Sequence, residues 1–222
     1  MPDTREYNPL DYENLTINLV RELMSRDAGT LPPLERFYGA GVYALFYDGD
    51  FSPYQHPRIR SSDSSWPIYV GKAVPAGART GRASGARSIG RQLYSRLGQH
   101  AKSISAAENL TLGDFRCRFL VVTPLWITMA ERFLIENFQP IWNVSVEGFG
   151  IHDPGAGRHE GQVSWWDTLH PGRKWGPSLR QTRTPADVEA RLRDFLTLQD
   201  TDPEAARREA AHVADETDES RD

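Results

Sequence analysis

The sequence predicts an α/β protein of the α+β type: a small, mainly antiparallel three-stranded sheet flanked by helices, with an N-terminal helix, loop insertions and a C-terminal extension. Three short runs, residues 41–47, 68–71 and 115–122, are rich in β-branched and aromatic residues and are bounded by turn formers. Between and after them, apolar residues recur at helical spacing. The chain has 222 residues, 39% of them hydrophobic and 25% charged, enough for one sizeable core plus appended segments.

The elements follow in order. Leu15, Leu19, Leu23 and Met24 form a helical stripe over 13–25, stopped by the prolines at 32 and 33. Gly41 to Tyr47 is a strand closed by Asp48-Gly49-Asp50. Residues 48–66 are rich in Ser, Pro, Asp and Gly and read as a long loop, across which the short strand 68–71 can pair back antiparallel. Residues 75–91 form a basic loop, and Ile89, Leu93, Leu97 and Ile104 then share one helical face. After the third strand, Thr123-Pro124 supplies an N-cap and a first-turn proline for a helix carrying Ile127, Leu134, Ile135 and Phe138 inward. Residues 147–176 hold seven glycines among histidines and tryptophans and read as ordered loop. Thr184-Pro-Ala-Asp187 opens a last helix with Val188, Leu192, Phe195 and Leu196 inside, and 201–222 is an acidic tail, solvated helix or disorder.

Several classes are excluded by composition. No apolar run approaches the ~20 residues of a membrane span. The polar, acidic opening residues are unlike a secretory signal. The single cysteine, Cys117, can form neither an internal disulfide nor a cysteine-rich zinc site, and a reducing cytoplasm is the expected compartment. His152, His159 and His170 are too loosely spaced for zinc. The net charge of −4 conceals a local excess: residues 72–118 carry nine bases and two acids, whereas 185–222 carry five bases and twelve acids. Phosphate affinity depends on local charge, so the basic stretch points to nucleic acid. Its arginines Arg79, Arg82, Arg87 and Arg91, with Lys102, are candidate DNA contacts, since guanidinium suits phosphate and guanine edges.

Polar residues interrupt two apolar faces. Arg96 and His100, at i and i+4, lie beside Leu93, Leu97 and Ile104; Glu131 lies between Ile127 and Ile135. A desolvated carboxylate needs a cation, from the protein or a metal. One reading is a buried Arg96–Glu131 ion pair joining two helices, with His100 a satisfied core histidine; the other is an active site. Tyr43 and Tyr69, on strands that should be neighbours, could turn their phenols into the same cleft. Arg132 and Glu136 read as surface charges.

Gly41-Val-Tyr43, Tyr69-Val-Gly71, Arg96, His100, Glu131 and Asn143, in that order, resemble the GIY-YIG nuclease superfamily across roughly residues 41–143. The stretches Tyr69-Val-Gly-Lys-Ala-Val-Pro75, Leu93-Tyr-Ser-Arg-Leu-Gly-Gln-His100, Gln139-Pro-Ile-Trp-Asn143, Gly148-Phe-Gly-Ile-His-Asp-Pro-Gly155 and Leu169-His-Pro-Gly-Arg173 are similar to its type II restriction endonuclease branch. The insertion at 48–66, between the two tyrosine motifs, departs from the short turn of most members. The resemblance implies a nuclease core over 37–146, an N-terminal extension over 1–36, a DNA-contacting extension over 147–200 and the tail beyond it.

It also implies roles. Glu131 would bind one Mg²⁺, Arg96 would hold the scissile phosphate, and Tyr43 would be the general base or a relay to one, helped by His100. Tyr69 and Lys72 would orient water and neutralise phosphate, and Asn143 would hold the site or a water on the metal. The function implied is sequence-specific cleavage of double-stranded DNA at a palindromic, GC-rich site by a homodimer. A cognate DNA methyltransferase is expected in the host, and no membrane partner. A repair or homing endonuclease of the same superfamily, or a non-catalytic DNA-binding protein, stands as the alternative.

Overall fold

Strand β2, Gly41–Tyr47, is buried along its whole length, so the sheet around it is covered on both faces. The computed structural model describes residues 8, 10–75, 90–151 and 161–219, with side chains through Asp215. Four strands, β1 (Gly29–Thr30), β2, β3 (Tyr69–Ala73) and β4 (Phe115–Val121), form one antiparallel sheet in the order β1-β4-β2-β3. The expected three strands are therefore joined by a fourth at the edge. With two residues, β1 has too little pattern to register as a strand; it pairs Gly29 with Cys117 and Thr30 with Arg116.

Alternation of side chains sorts the helices onto the two faces. Tyr43, Leu45 and Tyr47 point to the face that receives helix α2 (Gln92–Ala106), where the Tyr43 and His100 rings meet. Val42, Ala44 and Phe46 point to the other, where α1 (Tyr12–Met24) packs on α3 (Ile127–Phe138) and on β4, and α3 lies across β2 and β3. The ladder sets the register: Tyr43 lies opposite Gly71, Val42 opposite Lys72 and Leu45 opposite Tyr69. Gly41 sits at φ +156° where a Cβ would fall 2.0 Å from the Leu120 carbonyl, so only glycine lets β2 enter this close to β4.

Two local expectations change. Thr123 makes no side-chain cap; Pro124–Trp126 is a tight 3-10 turn, and α3 begins only at Ile127. The insertion 48–66 is not merely a solvated loop, because Tyr54 and Ile59 within it are fully buried. The free edge of β3 is closed by the short helix α4 (Ile141–Val144). The Trp142 N–H donates to the Ile68 carbonyl at 3.0 Å, and the Asn143 side-chain amide both accepts from and donates to the Val70 backbone, each at 2.8 Å. A side chain thereby satisfies the groups an edge strand leaves open.

The extension adds α5 (Trp165–Leu169), then α6 (Pro185–Thr201), which opens with a capping box between Thr184 and Asp187. The acidic stretch beyond is α7 (Pro203–Glu219), whose Ala206 and Ala210 are buried. Buried apolar residues from Leu23 in α1 to Ala210 in α7 form one cluster. No helix among the described residues is long and apolar enough to cross a membrane.

Candidate active site

Tyr43 and Tyr69 reach the same side of the sheet from neighbouring strands, diagonal to one another, with ring centroids 6.2 Å apart. Gly71, directly opposite Tyr43, leaves room for its ring: a Cβ there would stand 2.4 Å from the Tyr43 hydroxyl. On α2, one helical turn separates Arg96 from His100, and both face this pair. The Tyr43 hydroxyl lies 2.6 Å from Nε2 of His100. Arg96 stands close enough to both phenols for each to raise its pKa, and its Nη2 donates to the Gly150 carbonyl at 2.8 Å. His100 is 2% exposed, and the Phe149 ring stacks on it at 4.6 Å.

Lys72 alternates to the other face of β3, where its Nζ lies 3.0 Å from Glu131 and donates to the Thr128 hydroxyl at 3.2 Å. The buried Glu131 carboxylate therefore has a lysine beside it, a partner outside the arginine pairing read from the helices alone. Lys72 and Glu131 thus lie across β3 from the two phenols, and the Glu131 charge acts on Tyr43 through the strand. Asn143 stands behind the strand as the clamp on Val70, between Tyr69 and Gly71. A cavity of about 440 Å³ opens at Lys72 and Glu131, with Thr128 and Arg132 on its α3 wall, Tyr12 from α1 and Asp215 from α7.

Burial pushes the Tyr43 phenol well above its ordinary pKa; Tyr69 adds to the rise, Arg96 opposes it by charge and hydrogen bond, and Glu131 reinforces it. Burial also works against the Arg96 charge, yet the two phenols raise its pKa beyond the usual arginine value. Tyr43 thus stays a neutral hydroxyl near pH 7, able to donate to His100.

Arg79, Arg82 and Arg87 lie outside the described residues, as do His152 and His159. Arg91 stacks on Tyr38 at 4.8 Å at the start of α2, and Lys102 is exposed farther along it. Glu136 is a correction: it is buried, accepting from the Tyr12 hydroxyl at 2.5 Å and from Arg132 at 2.7 Å, since α1 covers this part of α3. His170 is a core residue: Nδ1 donates to Asn109, whose own amide donates to the Leu169 carbonyl, so Nε2 accepts from Tyr54.

Among the described residues, no group of three or more His, Cys, Asp or Glu side chains gathers to hold a metal. The site's donor set, the Glu131 carboxylate with no histidine or cysteine among the described residues lining its cavity, fits a hard cation that keeps most of its waters, such as Mg²⁺, better than zinc. Phe149 and Gly150 were not singled out by sequence reasoning; the Gly148–Gly155 motif was their only signal. The protein-family model described as the Eco29kI GIY-YIG domain matches residues 35–196, from just before β2 into α6. No curated protein matches the chain.

Proposed function

The chain belongs to the Eco29kI family of GIY-YIG nucleases, a type II restriction endonuclease family, and from that premise we propose that it cuts both strands of duplex DNA at a palindromic, GC-rich site. The observation carrying this reading is the convergence of Tyr43, Tyr69, Arg96 and His100 on one face of the sheet, with Lys72 and Glu131 at a cavity across β3 from them. Phosphodiester hydrolysis needs a proton acceptor for water, positive charge on the phosphate and assistance to the leaving oxygen. These residues hold the first two, and Glu131 would serve the third through a cation that stabilises the leaving oxyanion until solvent protonates it.

Glu131 would hold a divalent cation, Mg²⁺ in our reading, which when bound supplies Lewis-acid charge to the reacting phosphate. Arg96 binds the scissile phosphate and offsets the charge that grows there, a kind of contribution typically worth ~10²–10³ in rate. Tyr43 relays: it takes the proton of the attacking water as it donates its own to His100, so the phenol never has to be a free phenolate. Tyr69 orients the water, Lys72 neutralises phosphate beside Glu131, and Asn143 keeps β3 in place.

Symmetric cleavage by a chain with one such site calls for two copies, hence a homodimer on DNA. Arg91 and Lys102, with Arg79, Arg82 and Arg87, supply the basic flank. The host, in whose cytoplasm the enzyme would act, would carry a methyltransferase of matching specificity. Digestion of mapped phage DNA with Mg²⁺ or with chelator, followed by end sequencing, tests the whole reading. Discrete fragments with uniform ends, formed only with metal, are expected. Nicks at branched or damaged structures would mean a repair enzyme, and DNA binding without cleavage a vestigial site.

A further inference from the structure

Arg173 lies in the extension, outside the cluster that touches the phosphate, yet every donor it owns is committed. Nε and Nη2 bind the two oxygens of Asp167, each at 2.5 Å. Nη2 also donates to the Gly148 carbonyl at 3.0 Å, and Nη1 to those of Phe149 at 3.1 Å and Ile151 at 3.4 Å. That uses all five N–H groups of a guanidinium. The side chain is 1% exposed, with Trp166 at 4.5 Å and Trp175 at 4.8 Å from the guanidinium carbon.

Replacing a buried ion pair by apolar residues is often neutral or stabilising, so stability alone is a weak reason to keep one here. What this pair does fix is the path of 148–151. With the carbonyls of Phe149 and Ile151 held by Arg173, the Gly150 carbonyl between them is the one that meets Arg96 Nη2 at 2.8 Å. The same path sets the Phe149 ring on His100. Arginine carries large rotamer freedom, and a fixed carbonyl on one nitrogen removes much of it before substrate arrives.

We propose that Arg173, paired with Asp167, is a positioning residue for catalysis, acting through the 148–151 loop on Arg96 and His100. This rests on the proposed nuclease reading, in which Arg96 and His100 act on the scissile phosphate.

The test is a double-variant cycle on single-turnover cleavage of a cognate duplex in Mg²⁺, with binding measured in chelator. Arg173→Lys retains the charge but brings three donors in place of five. It is expected to lower the cleavage rate by ~10–100-fold, in the range of misplaced catalytic groups, with duplex affinity changed less than threefold. In an Arg96→Lys background the same change should cost severalfold less, because one of the two groups it positions is already altered. A merely structural Arg173 would lower the rate by the same factor in both backgrounds, or weaken binding with turnover intact; either result overturns the proposal. If Arg173→Lys does not fold, Trp175→Ala, which strips one face of the guanidinium at a half-buried position, carries the same cycle, with a several-fold loss expected only when Arg96 is present. A wild-type chain that cleaves nothing would refute the nuclease reading; cleavage with a multiplicative cycle would refute the positioning role alone.

Discussion

Gly71 lies directly across the β2–β3 ladder from Tyr43, and the missing side chain at one position is the space occupied by the ring of the other. A methyl at residue 71 would come within 2.4 Å of the Tyr43 hydroxyl and 2.7 Å of its Cζ. Tyr43 is fully buried between α2 and the sheet, so its ring has nowhere to retreat. Gly71→Ala should cost ~1–3 kcal/mol, the usual range for overpacking, and lower the melting temperature by several degrees. It should also slow cleavage far more than it weakens DNA binding. Adding Tyr43→Phe, which removes the closest atom, should recover part of the melting temperature and none of the activity.

The acid sensitivity of the fold should trace in good part to His170. Burial, with the nearby Arg173 charge, depresses its pKa to about 3. The unfolded chain takes up a proton at this residue near pH 6.5, while the folded one resists until about pH 3. Stability from this group is therefore complete above pH 6.5 and falls as the pH drops through that window, by ~1.4 kcal/mol per unit and about 5 kcal/mol in all. Denaturant unfolding at pH 7, 6, 5 and 4 would show the slope. His170→Gln can still donate to Asn109 and accept from Tyr54, and should flatten that slope even where it lowers stability at pH 7. An identical slope in the variant would assign the acid lability elsewhere.

The legible parts of this protein are those whose signal is local. The run from Gly41 to Tyr47 reads as a strand because every residue favours one and turn formers follow it; the α2 face reads as a helix because Leu93, Leu97 and Ile104 repeat on one side. Arg96, His100 and Glu131 stood out because each breaks an apolar face. The rest depends on contacts between distant segments. Asn143 meets Val70 through backbone groups, so nothing in its own neighbourhood announces the clamp. Lys72 reads as one base among many until the ladder turns it away from Tyr69 and toward Glu131. Glu136 reads as surface charge because the helix that covers it, α1, lies 124 residues from it at Tyr12.

Glu131→Gln separates metal binding from ion pairing. If Glu131 holds the cation, the variant should lose cleavage by at least ~10³-fold and bind duplex as well as or better than the wild type. Its stability should fall, because Lys72 would lose the charge of its Glu131 partner at a site where its side chain is 10% exposed. The cost should be ~1–3 kcal/mol, the scale for a weakened buried polar contact, read as a lower melting temperature. Lys72→Met added to Glu131→Gln should return much of that loss without restoring cleavage. A Glu131→Gln protein that cuts at near wild-type rate would remove Glu131 from the metal role and leave it an ion-pair residue.

The Tyr43–His100 contact decides how the proton leaves. With burial holding the phenol well above its ordinary pKa, Tyr43 is a neutral hydroxyl at neutral pH. If the phenolate were the base, the rate would climb tenfold per pH unit up to pH 10 and beyond. A relay instead predicts no such climb, since Tyr43 gains a proton as it gives one to His100 2.6 Å away. Tyr43→Phe keeps the ring and should keep the melting temperature close to that of the wild type, while the cleavage rate falls by ~10²–10⁴-fold. His100→Gln, which can hydrogen-bond the hydroxyl but cannot store a proton, should fall by a similar factor. In a relay the double variant should be little worse than either single one, because both cut the same path. Independent losses that multiply, or a rate still rising tenfold per unit above pH 9, would show that the two residues act separately and that Tyr43 itself is the base.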